Sequence, residues 1–291
     1  MAKFRDNPVG LWRRKMDEIS WKETFSSVTR KTSLEEYLGK DGNILVIAPH
    51  PDDDVLGVGG TMAAAIHQGQ GVFAVYITDG RGSPRRDPAL SDDEMAALRK
   101  KEAKSALKVL GAVGGFFLEK RSGELTGEAQ KETGEILFRI LQRIRPQEVF
   151  LPAPYERHLT HQRCTQLSIE ALRKIPRLKP NLLGYSLWGS FWGVRKRIVR
   201  DISPFIKKKV EAIMAHSSQV AYKDYQQGII GKNNYEAIFW ESHAVSPASF
   251  VEIFLDMNEL LEDRDMTLAT FIRRDMEALI QAFDLSGKEE I

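Results

Sequence analysis

Residues 44–48, Ile44-Leu45-Val46-Ile47-Ala48, form an unbroken apolar run after the turn-forming Gly39-Lys40-Asp41-Gly42, the pattern of a strand buried on both faces. Apolar positions at helical spacing follow over 56–68 and stop before Gly69 and Gly71, and a second apolar run over 72–78 closes at Asp79-Gly80. Strand, helix and strand in that order predict a βαβ unit with parallel strands. The spacing predicts a helix over 91–110, with Asp92, Asp93 and Glu94 in its first turn and Gly111 at its end. A short strand at 116–118, a helix over 128–144 stopped by Arg145-Pro146, and a buried strand over 148–152 come next.

Beyond residue 180 the pattern changes to a strand at 182–188, helices at 203–216 and 220–227, a strand at 250–255 and a closing helix over 258–283. Residues 1–42 read as a helical lead-in, with a helix start at Ser33-Leu34-Glu35-Glu36, and 286–291 as a polar tail. The expected architecture is α/β and Rossmann-like: one domain over 43–285, a mostly parallel sheet flanked by helices, and a C-terminal elaboration.

Charge narrows the partners. With 42 basic and 40 acidic side chains the net charge is +2, which calls for neither nucleic acid nor an anionic membrane and leaves a small molecule as the default partner. The single cysteine, Cys164, excludes an intramolecular disulfide framework and a multi-cysteine zinc site, and fits a reducing cytoplasm. No stretch reaches the roughly 18–20 apolar residues of a membrane span, and no apolar signal core opens the chain. Leu11-Trp12-Arg13-Arg14-Lys15 is a basic amphipathic element of a kind that can lie on a membrane surface, though packing of Leu11 and Trp12 on the body is the favoured reading.

His50-Pro51-Asp52-Asp53 stands at the carboxyl end of the first strand, where open α/β sheets collect ligands, and His158 and His161 follow the strand at 148–152 in what reads as a loop. A hydrolytic zinc centre uses three N/O ligands and leaves a position open for water. His50, Asp53 and His161 supply that set. Pro51 stiffens the turn, and Asp52 is left free to act as a base.

The plainer alternative makes Asp52-Asp53-Asp54 a cap of the following helix, and it stays open for Asp54. Gly57-Val58-Gly59-Gly60 invites a nucleotide-binding reading, but the preceding acids would repel a pyrophosphate and the G-x-G-x-x-G spacing is missing. Arg81, Arg85 and Arg86 read as either an anion clamp or a solvated basic loop, and Lys207-Lys208-Lys209 as an exposed helix face. Trp188, Phe191 and Trp192 read as a sugar-stacking wall or as core. His216 reads as a helix cap or a site residue, Cys164 as a small buried hydrophobe rather than a ligand, His67 as a surface or packing residue, and His243 has no evident partner.

These residues resemble a known family. Pro49-His50-Pro51-Asp52-Asp53-Asp54 with Gly57 and Gly59-Gly60 looks like the signature of the PIG-L or LmbE-like zinc-dependent N-deacetylases. Thr78-Asp79-Gly80, then Arg99 with Glu102, Ala103 and Leu110-Gly111, then His158 and His161, then His216-Ser217-Ser218-Gln219 resemble its later segments, over about 43–220. The resemblance implies zinc, or another divalent metal such as Fe2+, on His50, Asp53 and His161, with Asp52 as general base. It implies hydrolysis of the acetamide of an N-acetylglucosamine-type sugar or its conjugate, with His158 as the protonated group assisting the amine. Leu159-Thr160 departs from the Pro-Asp that many relatives carry between the two histidines, which removes a carboxylate able to orient an imidazole there. Tyr155 is assigned no catalytic role. An amidase acting on another acyl amide and a noncatalytic carbohydrate-binding relative remain the alternatives.

Overall fold

The structure is a computed structural model and describes residues 23–28, 34–189, 195–239 and 248–286. The strands are β1 (Phe25–Ser27), β2 (Ile44–Ala48), β3 (Val72–Thr78), β4 (Gly114–Lys120), β5 (Glu148–Pro152), β6 (Asn181–Tyr185), β7 (Arg197–Asp201) and β8 (Val251–Asp256). They form one sheet in the order β1-β4-β3-β2-β5-β6-β8-β7. The central run β4-β3-β2-β5-β6 is parallel, while β1, β8 and β7 add antiparallel edges. The chain therefore crosses from β2 to β3 on one side and later returns to set β5 on the other. The carboxyl ends of β2 and β5 flank the switch point, the place in such sheets where ligands bind.

Every residue of β2 is buried, because each face is covered by helices. Leu45 and Ile47 join one apolar layer with Ile136, Leu137, Leu167 and Leu172. Ile44, Val46 and Ala48 join the opposite layer with Val55, Val58, Met62, Ala103 and Leu107. The first layer carries helices α3 (Gly127–Ile144) and α4 (Leu159–Arg173); the second carries α1 (Asp53–His67) and α2 (Asp92–Leu110). Helix α2 matches its sequence signals: Ser91 and Glu94 form a reciprocal capping box, and Gly111 ends it at φ 89°.

Several expectations shift. Helix α1 begins at Asp53 rather than residue 56, so Asp53 and Asp54 lie in its first turn and Asp52 at its cap position. His161 lies in the first turn of α4, not in a loop. The helix expected over 203–216 is a 3-10 turn, Ser203–Phe205, followed by α5 (Ile206–Met214), and the one over 220–227 divides into α6 (Ser217–Tyr222) and α7 (Tyr225–Phe239). The closing helix is broken into α8 (Glu259–Glu262) and α9 (Leu268–Ser286). Asp263 accepts from Asp265 N at 3.0 Å and Thr267 Oγ1 from Thr270 N at 3.0 Å, so short polar side chains divert the backbone between the two.

The described part of the expected helical lead-in holds a strand, β1, and a 3-10 turn, Leu34–Glu36, instead of a long helix. Strand β1 sits so close to β4 that a Cβ at Gly114 would come within 2.5 Å of Ser26 O. The element at 11–15 lies outside the described residues, as do Phe191, Trp192 and His243.

The exposed-face reading of 207–209 holds for Lys207 and Lys208, which are exposed, and fails at Lys209, which is buried. Its Nζ is buried 2.7 Å from Glu252 Oε1 and 2.8 Å from Asn233 Oδ1, while Glu252 also accepts from Gly60 N and Thr61 N at 2.9 and 2.8 Å. This network ties α1, α5, α7 and β8 together. Close packing also accounts for the glycines of α1: a Cβ at Gly57 would meet the Tyr185 ring at 2.6 Å, and one at Gly60 would meet Ile202 at 2.6 Å.

Candidate metal centre and its cavity

Strand β2 ends at Ala48, and the carbonyl of the next residue, Pro49, is held by Thr78 N at 2.9 Å and Thr78 Oγ1 at 2.7 Å. The chain then turns so that Asp53 Oδ2 accepts from His50 N at 2.8 Å. The same oxygen lies 3.1 Å from His50 Nδ1 and 3.3 Å from His161 Nε2, and the two imidazole nitrogens are 3.3 Å apart. A tetrahedral zinc ion with bonds of about 2.0–2.1 Å has ligand atoms about 3.3 Å apart along each edge. The residues present therefore fit a metal, with three N/O donors on one face of a tetrahedron. His158 completes a wider group, since His50, His158 and His161 each offer a nitrogen within 4.8 Å of the others.

The electrostatics have the same sense. Burial alone would raise the Asp53 carboxyl, but His161 and His50 outweigh it and hold its pKa well below the usual range. Burial would lower His161, yet Asp53 and Glu156 overcome it and raise its pKa to about 10. The Asp53 carboxylate thus favours positive charge beside it, as a bound cation would supply.

Asp52 occupies the cap position of α1 without capping it by its side chain. Its Oδ1 accepts instead from Arg99 Nη2 at 2.7 Å. Burial raises the Asp52 pKa, with Arg99 opposing it. Asp54 is fully buried, accepts from Tyr76 OH at 2.6 Å, and is raised by burial to about 7, so it points into the protein away from the cavity chemistry.

A cavity of about 360 Å³ opens over the cluster, with Asp52, Asp53, Arg99 and the three histidines in its floor. Leu56 and Gly82-Ser83-Pro84 form part of its wall, and Trp188 and Tyr225, whose ring centroids are 6.0 Å apart, stand together on the rim. His158 is exposed at the entrance of α4, and its pKa is lowered, first by burial of part of the ring and then by His50 and His161.

Sequence reasoning passed over Glu156 and gave Arg99 and Glu102 no role of their own. Glu102 accepts from Ser217 Oγ at 2.8 Å, Ser218 N at 2.7 Å and Ser218 Oγ at 2.7 Å, which fixes the start of α6 and brings Gln219 to the cavity. His216 is buried and held neutral, its pKa pushed down to about 3 by burial, so it takes neither a cationic cap role nor a place in the histidine cluster. Arg81 is engaged by Asp79 and Asp93, and Arg85 by Asp92, so both guanidiniums already have acid partners. Tyr155 hydroxyl turns to Asp275, and Cys164 is buried with its thiol pKa pushed up by that burial.

Residues 45–172 match the family described as PIG-L, GlcNAc-PI de-N-acetylase. They are a PIG-L domain. Diacetylchitobiose deacetylase of Thermococcus kodakarensis is 29% identical over 215 residues, which span 68% of this chain and 78% of that protein. The solved N,N'-diacetylchitobiose deacetylase of Pyrococcus horikoshii superposes with a TM-score of 0.61 at 24% identity, covering 90% of this chain and 97% of the other. The fold also resembles GalB, a 4-carboxy-2-hydroxymuconate hydratase of Pseudomonas putida, with a TM-score of 0.63 at 18% identity over 74% of this chain and 96% of GalB. Backbone similarity alone thus leaves the chemistry of the PIG-L domain to be argued from its side chains.

Proposed function

We propose that this PIG-L protein is a metal-dependent deacetylase that hydrolyses the acetamide of an N-acetylglucosamine-type sugar or its conjugate. The observation that carries the reading is the triangle of His50 Nδ1, Asp53 Oδ2 and His161 Nε2, with sides of 3.1, 3.3 and 3.3 Å, at the floor of an open cavity. His50, Asp53 and His161 would hold the metal, zinc by the chemistry of the donor set. When bound, the metal lowers the pKa of water and polarises the acetyl carbonyl.

Asp52, one residue from a ligand and facing the same cavity, accepts the proton of the attacking water. Arg99 favours the charged form of Asp52 against the effect of burial and orients its carboxylate. His158, at the mouth of the cluster, delivers a proton to the departing amine. The PIG-L match and the diacetylchitobiose deacetylase relative support the sugar class. No helix among the described residues is long and apolar enough to cross a membrane, and the lone cysteine supports a cytoplasmic setting.

Acetate release from N-acetylglucosamine, diacetylchitobiose and N-acetylglucosaminyl conjugates, before and after chelation, tests this function. Zinc-restored activity on at least one of them is expected. Turnover unaffected by removal of every divalent ion would reject the metal reading.

A further inference from the structure

We propose that Glu156 is the positioning residue of the metal centre, fixing the His161 imidazole in the Nδ1–H tautomer so that Nε2 presents its lone pair to the metal. The inference rests on the metal reading given above. Glu156 lies in the segment between β5 and α4 and is 3% exposed. Its Oε2 faces His161 Nδ1 at 3.5 Å, and neither atom has another hydrogen-bond partner. An ionised carboxylate only accepts, so the proton between these two atoms belongs on Nδ1. The opposite ring nitrogen, Nε2, is the one that meets His50 Nδ1 and Asp53 Oδ2.

The carboxylate is itself held in place. Glu156 Oε1 accepts from Leu187 N at 2.6 Å and from Trp188 N at 3.3 Å, its backbone N donates to Ala153 O at 3.1 Å, and its carbonyl accepts from Gln162 Nε2 at 2.8 Å. One carboxylate therefore spans a metal-site histidine and the backbone that carries the Trp188 rim. Carboxylates behind ligating histidines orient the ring and raise its basicity. The chain has Leu159-Thr160 where an orienting acid was expected, and Glu156 supplies that acid from the other side of His158.

The two backbone donors make a sharp test available. In Glu156→Gln the amide oxygen is the atom that suits Leu187 N and Trp188 N, which leaves the amide NH2 facing His161 Nδ1. That arrangement favours the tautomer with its proton on Nε2, which cannot bind a metal. Glu156→Asp shortens the side chain but keeps an acceptor. Zinc affinity is to be measured by competition with a chromophoric chelator, alongside thermal unfolding of each metal-free protein. The wild type is expected to bind one zinc, and the Gln variant to bind it about 10- to 100-fold more weakly with metal-free unfolding close to wild type. The Asp variant should fall between them, and this order decides the matter if the Gln variant is less stable. A wild type that binds zinc beside a Gln variant that binds it equally well, or better than the Asp variant, overturns the role of Glu156 alone. A wild type that binds no zinc overturns the metal reading and this inference together.

Discussion

Arg99 Nη2 donates to Asp52 Oδ1 at 2.7 Å, joining the middle of α2 to the turn that follows β2, with both residues buried. The pair sets the protonation of the proposed base. Burial raises the Asp52 pKa above 3.8, and Arg99 is the largest influence opposing that rise. A base works only when unprotonated, so activity should fall as pH drops through the Asp52 pKa. In Arg99→Gln that opposition is gone and the acid limb of kcat/KM should move to higher pH, with a lower plateau. A pH–rate profile whose acid limb stays where it is in wild type would separate Arg99 from the ionisation of Asp52.

Asp52 and His161 should fail in different ways. Asp52→Asn keeps the three proposed ligands and should retain stoichiometric zinc while kcat falls about 10²- to 10⁴-fold, the usual reach of general-base catalysis. His161→Ala removes one corner of the triangle and should lose the metal first. Metal content by elemental analysis, paired with acetate release, reads both. Full turnover in metal-loaded Asp52→Asn would remove Asp52 from proton transfer.

His158 lies close enough to His50 and His161 for either of two tasks, proton donor or further ligand, since a nitrogen of each falls within 4.8 Å of the others. A donor role predicts that His158→Ala keeps its zinc affinity and loses kcat, with the loss smallest for substrates whose leaving amine is least basic. A tenfold or greater loss of zinc affinity would instead make His158 a ligand.

Much of this site was legible because its residues lie close in sequence to buried strands. The apolar runs at 44–48 and 148–152 match β2 and β5 in full, and the acids and histidines that follow them meet at the switch point. What was not legible depends on contacts distant in sequence. Lys209 reads as one of three surface lysines until Glu252, 43 positions on, is brought beside it. Glu156 was not singled out because the groups that hold its carboxylate opposite His161 are Ser186 Oγ and the backbone at Leu187 and Trp188, far along the chain. Strand β7 was missed because its Arg197-Ile198-Val199-Arg200-Asp201 is partly exposed and charged, the composition of an edge rather than of a buried strand.

Trp188 and Tyr225 provide an aromatic rim on the cavity, and Trp188 remains 53% exposed. An apolar sugar face resting there would be bound alike in the ground and transition states. Trp188→Ala should therefore raise KM about three- to tenfold with little change in kcat, a loss of uniform binding. Steady-state kinetics on diacetylchitobiose against N-acetylglucosamine should show the larger effect on the two-ring substrate. Equal effects on both would place the second ring elsewhere.

The Lys209–Glu252 pair makes a prediction about stability rather than chemistry. Both side chains are 1% exposed, so neither charge has water to fall back on when its partner is removed. Lys209→Met leaves Glu252 with the Gly60 and Thr61 N–H groups but no cation, and Asn233 Oδ1 loses its donor. Breaking a buried pair from one side typically costs about 3–5 kcal/mol, and the two remaining N–H donors place the expected loss toward the lower end. Replacing both members, Lys209→Met with Glu252→Gln, removes the stranded charge and should recover part of that loss. Urea unfolding of the wild type, the single variants and the double variant closes the cycle. A single Lys209→Met loss below about 1 kcal/mol would equal that of a solvent-exposed ion pair and would mean that this network does not hold α1, α5, α7 and β8 together.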